Sequence, residues 1–223
     1  MATLLFGSLA RADELDSSDT DLLMIALENE TRRITAGHLS LFLYPWQTLK
    51  KNAREGDLFL CHLVREAKPL LDPNGYLPRL QDAFQYRSDY MSDIAWAADL
   101  GWYLARFGTE LNSNLLAKRV LWCIRTILIA RSANRRNPIF APQLLAEQTQ
   151  SSAGKELLLR RHITRRDAEL RKLLRLFLEE ETSPDRFNNQ ADQTAFIERF
   201  VVTSNKVALQ TIQQEEQSQI GYS

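Results

Sequence analysis

The sequence predicts an α+β protein, in which a small α/β unit with a mixed sheet comes first and a C-terminal helical bundle follows. Three observations predict it. Short apolar runs closed by glycine or proline occupy the stretch up to about residue 45, as buried strands do. From about residue 80 onward apolar residues recur at mixed spacings of three and four, the period of amphipathic helices. With 223 residues, 44% hydrophobic and 25% charged, the chain can bury a real core in one large or two small domains.

Thr3 to Phe6 is the first strand, stopped by Gly7, and Ser8 opens the next segment. The run Leu22 to Leu27, headed by Asp19-Thr20-Asp21, is the second. Residues Gly37 to Tyr44 form the third, ending Leu41-Phe42-Leu43-Tyr44 before Pro45. Helices are expected from Trp46 to Arg54 and from Leu58 to Ala67. The cluster Asp72-Pro73-Asn74-Gly75 and Pro78 favour turns and block helix propagation, which sets a boundary between residues 1–78 and 79–216. Beyond it, helices are expected at 80–107, 112–133, 140–150, 155–181 and 190–216, broken by Gly108, Asn137-Pro138, Gly154 and Ser183-Pro184. Trp96, Trp102, Tyr103 and Trp122 sit at helical spacing among Ala, Leu and Ile, which predicts core residues rather than base-stacking platforms. The chain turns polar after Thr211, so 217–223 reads as a flexible tail.

Cys61 and Cys123 stand far apart in apolar contexts, and the three histidines have no ligand spacing. Buried thiols are expected, with neither a disulfide nor a zinc site. The sequence shows no basic-apolar-small leader and no run of 18 apolar residues, which predicts a cytoplasmic protein without membrane insertion.

The chemistry is concentrated in the first 21 residues. A Gly-Ser turn leaving a strand exposes backbone N–H groups and a hydroxyl that can hold the outer phosphates of a nucleoside triphosphate. Asp19 and Asp21 lie at i and i+2, so on a strand both carboxylates project from one face. They repel one another unless a cation sits between them. Mg²⁺ or Mn²⁺ suits such a pair, since magnesium takes oxygen ligands and completes its shell with water and substrate phosphates. A bound metal can activate an attacking hydroxyl and stabilise leaving pyrophosphate.

The stretch GSLARADELDSSDTD resembles the signature of the DNA polymerase β-like nucleotidyltransferase superfamily, which joins Gly-Ser to Asp-x-Asp across about ten residues. Arg11 and Ser18 fit its minimal form, GSxARG with SDxD, and Ala12 departs from the usual glycine. The resemblance implies phosphate or nucleotide contacts at Gly7, Ser8, Arg11 and Ser18, and metal binding by the catalytic Asp19 and Asp21. It also implies a helical domain opposite the nucleotide, where the helix bearing Lys118 and Arg125 resembles the one that contacts triphosphate. Those two cations can equally lie along the edge of the bundle. A third carboxylate is common on the following strand of the family, but alignment on Leu41 to Pro45 puts Ser40 there. Glu28, Asp89 and Asp93 are the candidates to replace it.

The formal net charge of zero hides an asymmetry. Residues 1–117 hold 11 basic and 16 acidic side chains, residues 118–175 hold 14 and 4, and residues 176–223 hold 3 and 8. On the helix expected at 155–181, Arg161, Arg165, Lys172 and Arg175 fall within roughly 80° of one another, at about 100° per residue. Leu159, Ile163, Leu170, Leu173, Leu174 and Phe177 fall opposite. This face is a candidate nucleic-acid-binding surface, with a solvated ion-paired face as the alternative.

The chain ends Ile220-Gly221-Tyr222-Ser223. A tail leaving near Glu216 spans about 25 Å when extended at ~3.4 Å per residue, enough to carry a phenol into a nearby cleft. In this combination the chain resembles the nucleotidyltransferase component of Hailong anti-phage defence systems. That resemblance implies synthesis of single-stranded DNA oligomers from deoxy-ATP, primed by Tyr222, and a membrane ion-channel effector restrained by the product. ATP as substrate and self-association stay open. Two other classes remain: an adenylyltransferase acting on a small molecule or partner protein, and a noncatalytic nucleotide-binding or antitoxin-like module in which Ser40 marks decay.

Overall fold

The structure, a computed structural model, describes residues 1–14, 18–27, 29–183 and 192–220, the last six of these by backbone alone. The chain forms two compact units, one of residues 1–89 and 133–141 and the other of residues 90–132 and 142–223. The first therefore runs past residue 78 and takes back a later segment. Arg136 fastens that segment by donating to the carbonyls of Arg87 (2.5 Å) and Ser88 (3.3 Å), and Phe140 stacks on His62 at 4.5 Å.

The first unit is built on a mixed five-stranded sheet in the order β3-β4-β2-β1-β5. Its strands are β1 (Ala2–Phe6), β2 (Thr20–Ile25), β3 (Arg32–Ala36), β4 (Leu39–Tyr44) and β5 (Lys68–Leu71). β2 and β4 run parallel, and the other pairs are antiparallel. Alternation sets the face. Ala2, Leu4 and Phe6 of β1 join Leu23 and Ile25 of β2 in a core closed by α2 (Trp46–Arg54), α3 (Leu58–Glu66) and α4 (Tyr76–Ala83). Asp57 starts α3 by accepting from the N–H groups of Phe59 (2.9 Å) and Leu60 (3.1 Å). Asp72 does the same for α4, through Tyr76 and Leu77. Pro78 thus sits in the first turn of α4, where a missing N–H costs nothing, and does not bar a helix.

The second unit is helical: α5 (Met91–Phe107), α6 (Ser113–Asn134) up to its last turn, α7 (Pro142–Gln148), α8 (Ser152–Leu159), α9 (Asp167–Glu181), α10 (Gln193–Val202) and α11 (Lys206–Ile220). Three expected helices prove to be interrupted. The segment 80–107 divides into α4 and α5. The segment 155–181 divides into α8 and α9, because α9 makes its own start with Asp167 and Glu169 in the first turn, where the helix dipole favours acids. The segment 190–216 divides at Ser204, whose φ of 53° ends α10, and Asn205 caps α11 by accepting from Ala208 N–H at 3.2 Å. The backbone then stays helical through Ile220, so an extended tail does not begin at Glu216.

Tyr103, Phe107, Phe196 and Phe200 form an edge-packed aromatic cluster within this unit. Trp102 and Tyr103 are buried as expected. Cys61 and Cys123 are free and buried, and burial pushes the Cys61 thiol up to about 12 and the Cys123 thiol higher still, so both are inert at neutral pH. Among the described residues, no helix is long and apolar enough to cross a membrane.

Candidate active site

Strand register builds the site. Phe6 pairs with Asp21 across β1 and β2, so the turn that leaves β1 lies beside that aspartate. Gly7 has φ 77° and ψ −153°, a conformation nearly restricted to glycine, and a Cβ there would stand 2.8 Å from Asp21 Oδ2. Glycine is needed both for conformation and for space. Gly7→Ala is expected to cost about 1–3 kcal/mol of stability and to push the Asp21 carboxylate off its place, with an activity loss larger than the stability loss explains. Thermal unfolding and initial rates measured on one preparation test this.

Ser8 begins a single helical turn, α1 (Ser8–Arg11). As in any helix start, the leading N–H groups have no partner within the turn and face outward. Arg11 N–H and Asp13 N–H bond back to the carbonyls of Gly7 (3.2 Å) and Ser8 (3.1 Å), which closes the loop. Ala12 follows in the left-handed region at φ 60°, ψ 39°. Glycine fits that conformation freely, and alanine carries about 1–2 kcal/mol of strain.

Arg11 is engaged within the fold. Its guanidinium bonds Glu66 Oε2 at 2.7 Å and Asp13 Oδ2 at 3.1 Å and meets His62 Nε2 at 3.3 Å, tying α1 to α3. Burial opposes its charge, but the bonds to Asp13 and Glu66 outweigh that and raise its pKa. Glu66 is held below the ordinary carboxylate range, since its bonds to His62 and Arg11 overcome the cost of burial. Arg11 is a structural tether beneath the loop, with its cation already engaged by carboxylates.

Asp19 stands just before β2 and Asp21 within it, so the alternation of the strand puts the pair at one end of one sheet face. Asp19 is half exposed, and its Oδ1 lies 3.4 Å from Nδ1 of His38. Thr20 N–H donates to the His38 carbonyl at 2.6 Å, which locks this contact to the parallel pairing of β2 with β4. Ser18 precedes the pair and is half buried.

Asp21 pairs on its other side with Ser40, the position aligned with a third carboxylate. Ser40 is fully buried, and its Oγ accepts from Arg33 Nη2 at 3.2 Å. Of the substitutes for that carboxylate, Glu28 lies outside the described residues, Asp89 ends the first unit, and Asp93 sits in the first turn of α5 in the second unit. Among the described residues, no three His, Cys, Asp or Glu side chains gather as a metal-ligand set. Two carboxylates at one strand end suit one hard cation, with water and phosphate oxygens as its other ligands.

Lys118 and Arg125 lie on α6 in the second unit. The cationic face expected on one helix is not there. Arg161 and Arg165 fall in the connection between α8 and α9, and only Lys172 and Arg175 are on α9, exposed. Arg165 is itself buried in ion pairs with Glu156 (3.2 Å) and Glu169 (3.5 Å), while Leu159 and Ile163, expected in the core, are exposed. Arg161, His162 and Thr164 instead line a cavity of about 220 Å³ with Ser113 and Asn114 of α6. Tyr222 lies outside the described residues.

His38 and Arg33 are the side chains that sequence reasoning missed. Their signal is the parallel alignment of 39–44 against 20–25, which brings residue 38 beside 19 and residue 40 beside 21.

No protein-family model and no curated protein matches the chain. Among solved structures, a nucleotidyltransferase-like protein from Exiguobacterium sibiricum 255-15 aligns over 96% of this chain and 74% of its own, at 14% identity and a TM-score of 0.32, too slight a likeness to bear on function.

Proposed function

We propose that the chain is a metal-dependent nucleotidyltransferase, moving a nucleotidyl group from a nucleoside triphosphate to a hydroxyl. The observation that carries this is the contact of the Gly7-Ser8 turn with Asp21, which joins a phosphate-holding loop to a carboxylate pair at one strand end. The loop N–H groups and Ser8 hold the outer phosphates, and Asp19 and Asp21 hold a Mg²⁺ or Mn²⁺ ion that neutralises phosphate charge. The acceptor oxygen bonds the α-phosphorus, the bridging P–O bond breaks, and pyrophosphate departs with the electron pair. The hydroxyl proton passes to water.

The finer proposal is template-independent synthesis of short single-stranded DNA from deoxy-ATP, primed by Tyr222, in anti-phage defence alongside a channel effector. Arg160, Arg161 and Arg166 in the connection between α8 and α9, with Arg161 lining the cavity of the second unit, favour a polyanionic product over a small neutral one. In this reading Tyr222 acts on the centre of its own chain or on that of a second copy.

Purified protein given Mg²⁺ or Mn²⁺ and each labelled nucleotide separately is expected to form a ladder on a denaturing gel, preferentially with deoxy-ATP. Tyr222→Phe, which removes one oxygen, is expected to abolish initiation and to leave extension of an added oligonucleotide. Normal initiation in that variant rejects tyrosine priming. A single labelled protein band without extension favours protein adenylylation instead.

A further inference from the structure

Resting on the transferase function proposed above, we propose that Arg33 recognises the acceptor, and that it selects one carrying a phosphate near its hydroxyl. The sheet order places two different environments on either side of Asp21. On the β1 side is the Gly7-Ser8 turn. On the other side come Ser40 of β4 and then Arg33 of β3. Ser40 pairs with Asp21 and Phe42 pairs with Arg33, and residues 40 and 42 share a face of β4. Arg33 therefore projects from the same face as the Asp21 carboxylate.

In-line displacement at phosphorus sets the attacking and leaving oxygens on opposite sides. With the outer phosphates in the Gly7-Ser8 turn, pyrophosphate leaves toward β1 and the acceptor hydroxyl arrives from the side of β4 and β3. On that side the described residues offer a cation. The Arg33 guanidinium lies 4.8 Å from the centre of the Phe42 ring and donates to Ser40 Oγ at 3.2 Å. It makes no ion pair among the described residues. The ring and the hydroxyl fix its plane and leave its other N–H donors for a ligand.

An arginine held in this way cannot take the proton of an attacking hydroxyl, because it stays protonated. It can bind phosphate oxygens, and it does so with directed pairs of hydrogen bonds. The 3′-hydroxyl end of a nucleotide chain brings its phosphodiester with it. A phenol or an unphosphorylated nucleoside brings none. Arg33 thus favours extension of a nucleic-acid end over the first transfer to an uncharged acceptor.

The test uses the full chain with Mn²⁺, a labelled deoxynucleoside triphosphate, and two acceptors, a short oligodeoxynucleotide and the matching unphosphorylated nucleoside. Arg33→Ala is expected to raise the KM for the oligonucleotide about ten-fold and to weaken its salt dependence. The KM for the triphosphate and the rate with the nucleoside stay unchanged. Arg33→Lys recovers part of the loss, and Ser40→Ala, which frees the guanidinium, gives a smaller rise. Arg33 is exposed on an edge strand, so the unfolding midpoint should fall only by the small cost of its contacts with Phe42 and Ser40. An unchanged oligonucleotide KM, or a loss expressed in the triphosphate KM, overturns the proposal. Binding of the labelled oligonucleotide by fluorescence anisotropy decides the same point without turnover, and an equal Kd for wild type and Arg33→Ala also overturns it. Weaker oligonucleotide binding by Arg33→Ala, with no product from wild type and any nucleotide, rejects the transferase function and leaves the role of Arg33 standing.

Discussion

Replacing Asp19 and Asp21 together by alanine is expected to abolish nucleotide transfer, by about a thousand-fold or more, in a protein that remains folded. Under the proposed function the two carboxylates would hold the cation that offsets the charge of the triphosphate, and their removal would leave the Gly7-Ser8 turn to meet the phosphates with N–H dipoles and the Ser8 hydroxyl alone. The fold survives because β2 is anchored by Leu23 and Ile25, both fully buried, whereas Asp19 is half exposed ahead of the strand. Label transfer and Mn²⁺ binding by electron paramagnetic resonance are the two readouts, with circular dichroism as the control for folding. A variant that keeps the wild-type products and the wild-type Mn²⁺ signal places the reaction elsewhere in the chain.

That prediction needs only what was legible in the sequence. Gly7 ends β1 and Pro45 ends β4 because each is a strong local stop, so these strand ends could be read directly. The approach of Gly7 to Asp21 follows from a short antiparallel return. Arg33, His38 and Ser40 belong to a different class. Their places depend on the parallel pairing of β2 with β4, a long-range choice that no local period encodes. β3 was invisible for a related reason: its five residues are all exposed and show no buried stripe. β5 carries Pro69 on the sheet edge, where a missing N–H is tolerated, so its sequence looks like a breaker. The helix breaks at 84–90 and 160–166 contain neither glycine nor proline, and a continuous helical pattern runs across both. The second of these breaks dispersed the cationic face that periodicity alone had assembled. Strand register sets Gly7 close against Asp21, and Arg11 has a partner that the motif does not name. The residue fits the motif, yet Glu66, 55 positions away, engages it.

Glu181→Ala is expected to destabilise the second unit by about 3–5 kcal/mol. Glu181 ends the buried stripe of α9 that begins with Leu170, Leu174, Phe177 and Leu178, so helix periodicity carries a carboxylate into the core. There it joins three pieces of the unit. Arg131 of α6 and the Thr149 hydroxyl both donate to it, and so do the N–H groups of Gln150 (2.9 Å) and Ser151 (3.1 Å) in the turn between α7 and α8. Truncation leaves the Arg131 guanidinium, the Thr149 hydroxyl and the Gln150 N–H without this acceptor, while the Ser151 N–H keeps the Thr149 hydroxyl oxygen at 3.2 Å. Glu181→Gln keeps an oxygen for the turn and loses the charge, so it should cost less, and the difference between the two variants measures the ionic part. Arg131→Ala should cost more in wild type than in Glu181→Gln if the pair is coupled.

The pH dependence carries the same signature. Burial alone would raise the pKa of Glu181, but the bonds from Thr149, Arg131 and Ser151 outweigh it and lower the folded-state value. A carboxylate with a depressed folded pKa stabilises fully above its unfolded value, about 4.3, and the contribution is lost as pH falls through the folded pKa. Urea unfolding of wild type and Glu181→Gln should therefore show a constant stability gap at neutral pH that closes in acid. A gap independent of pH down to complete protonation would assign the cost of the substitution to packing, with the charge of Glu181 carrying none of it.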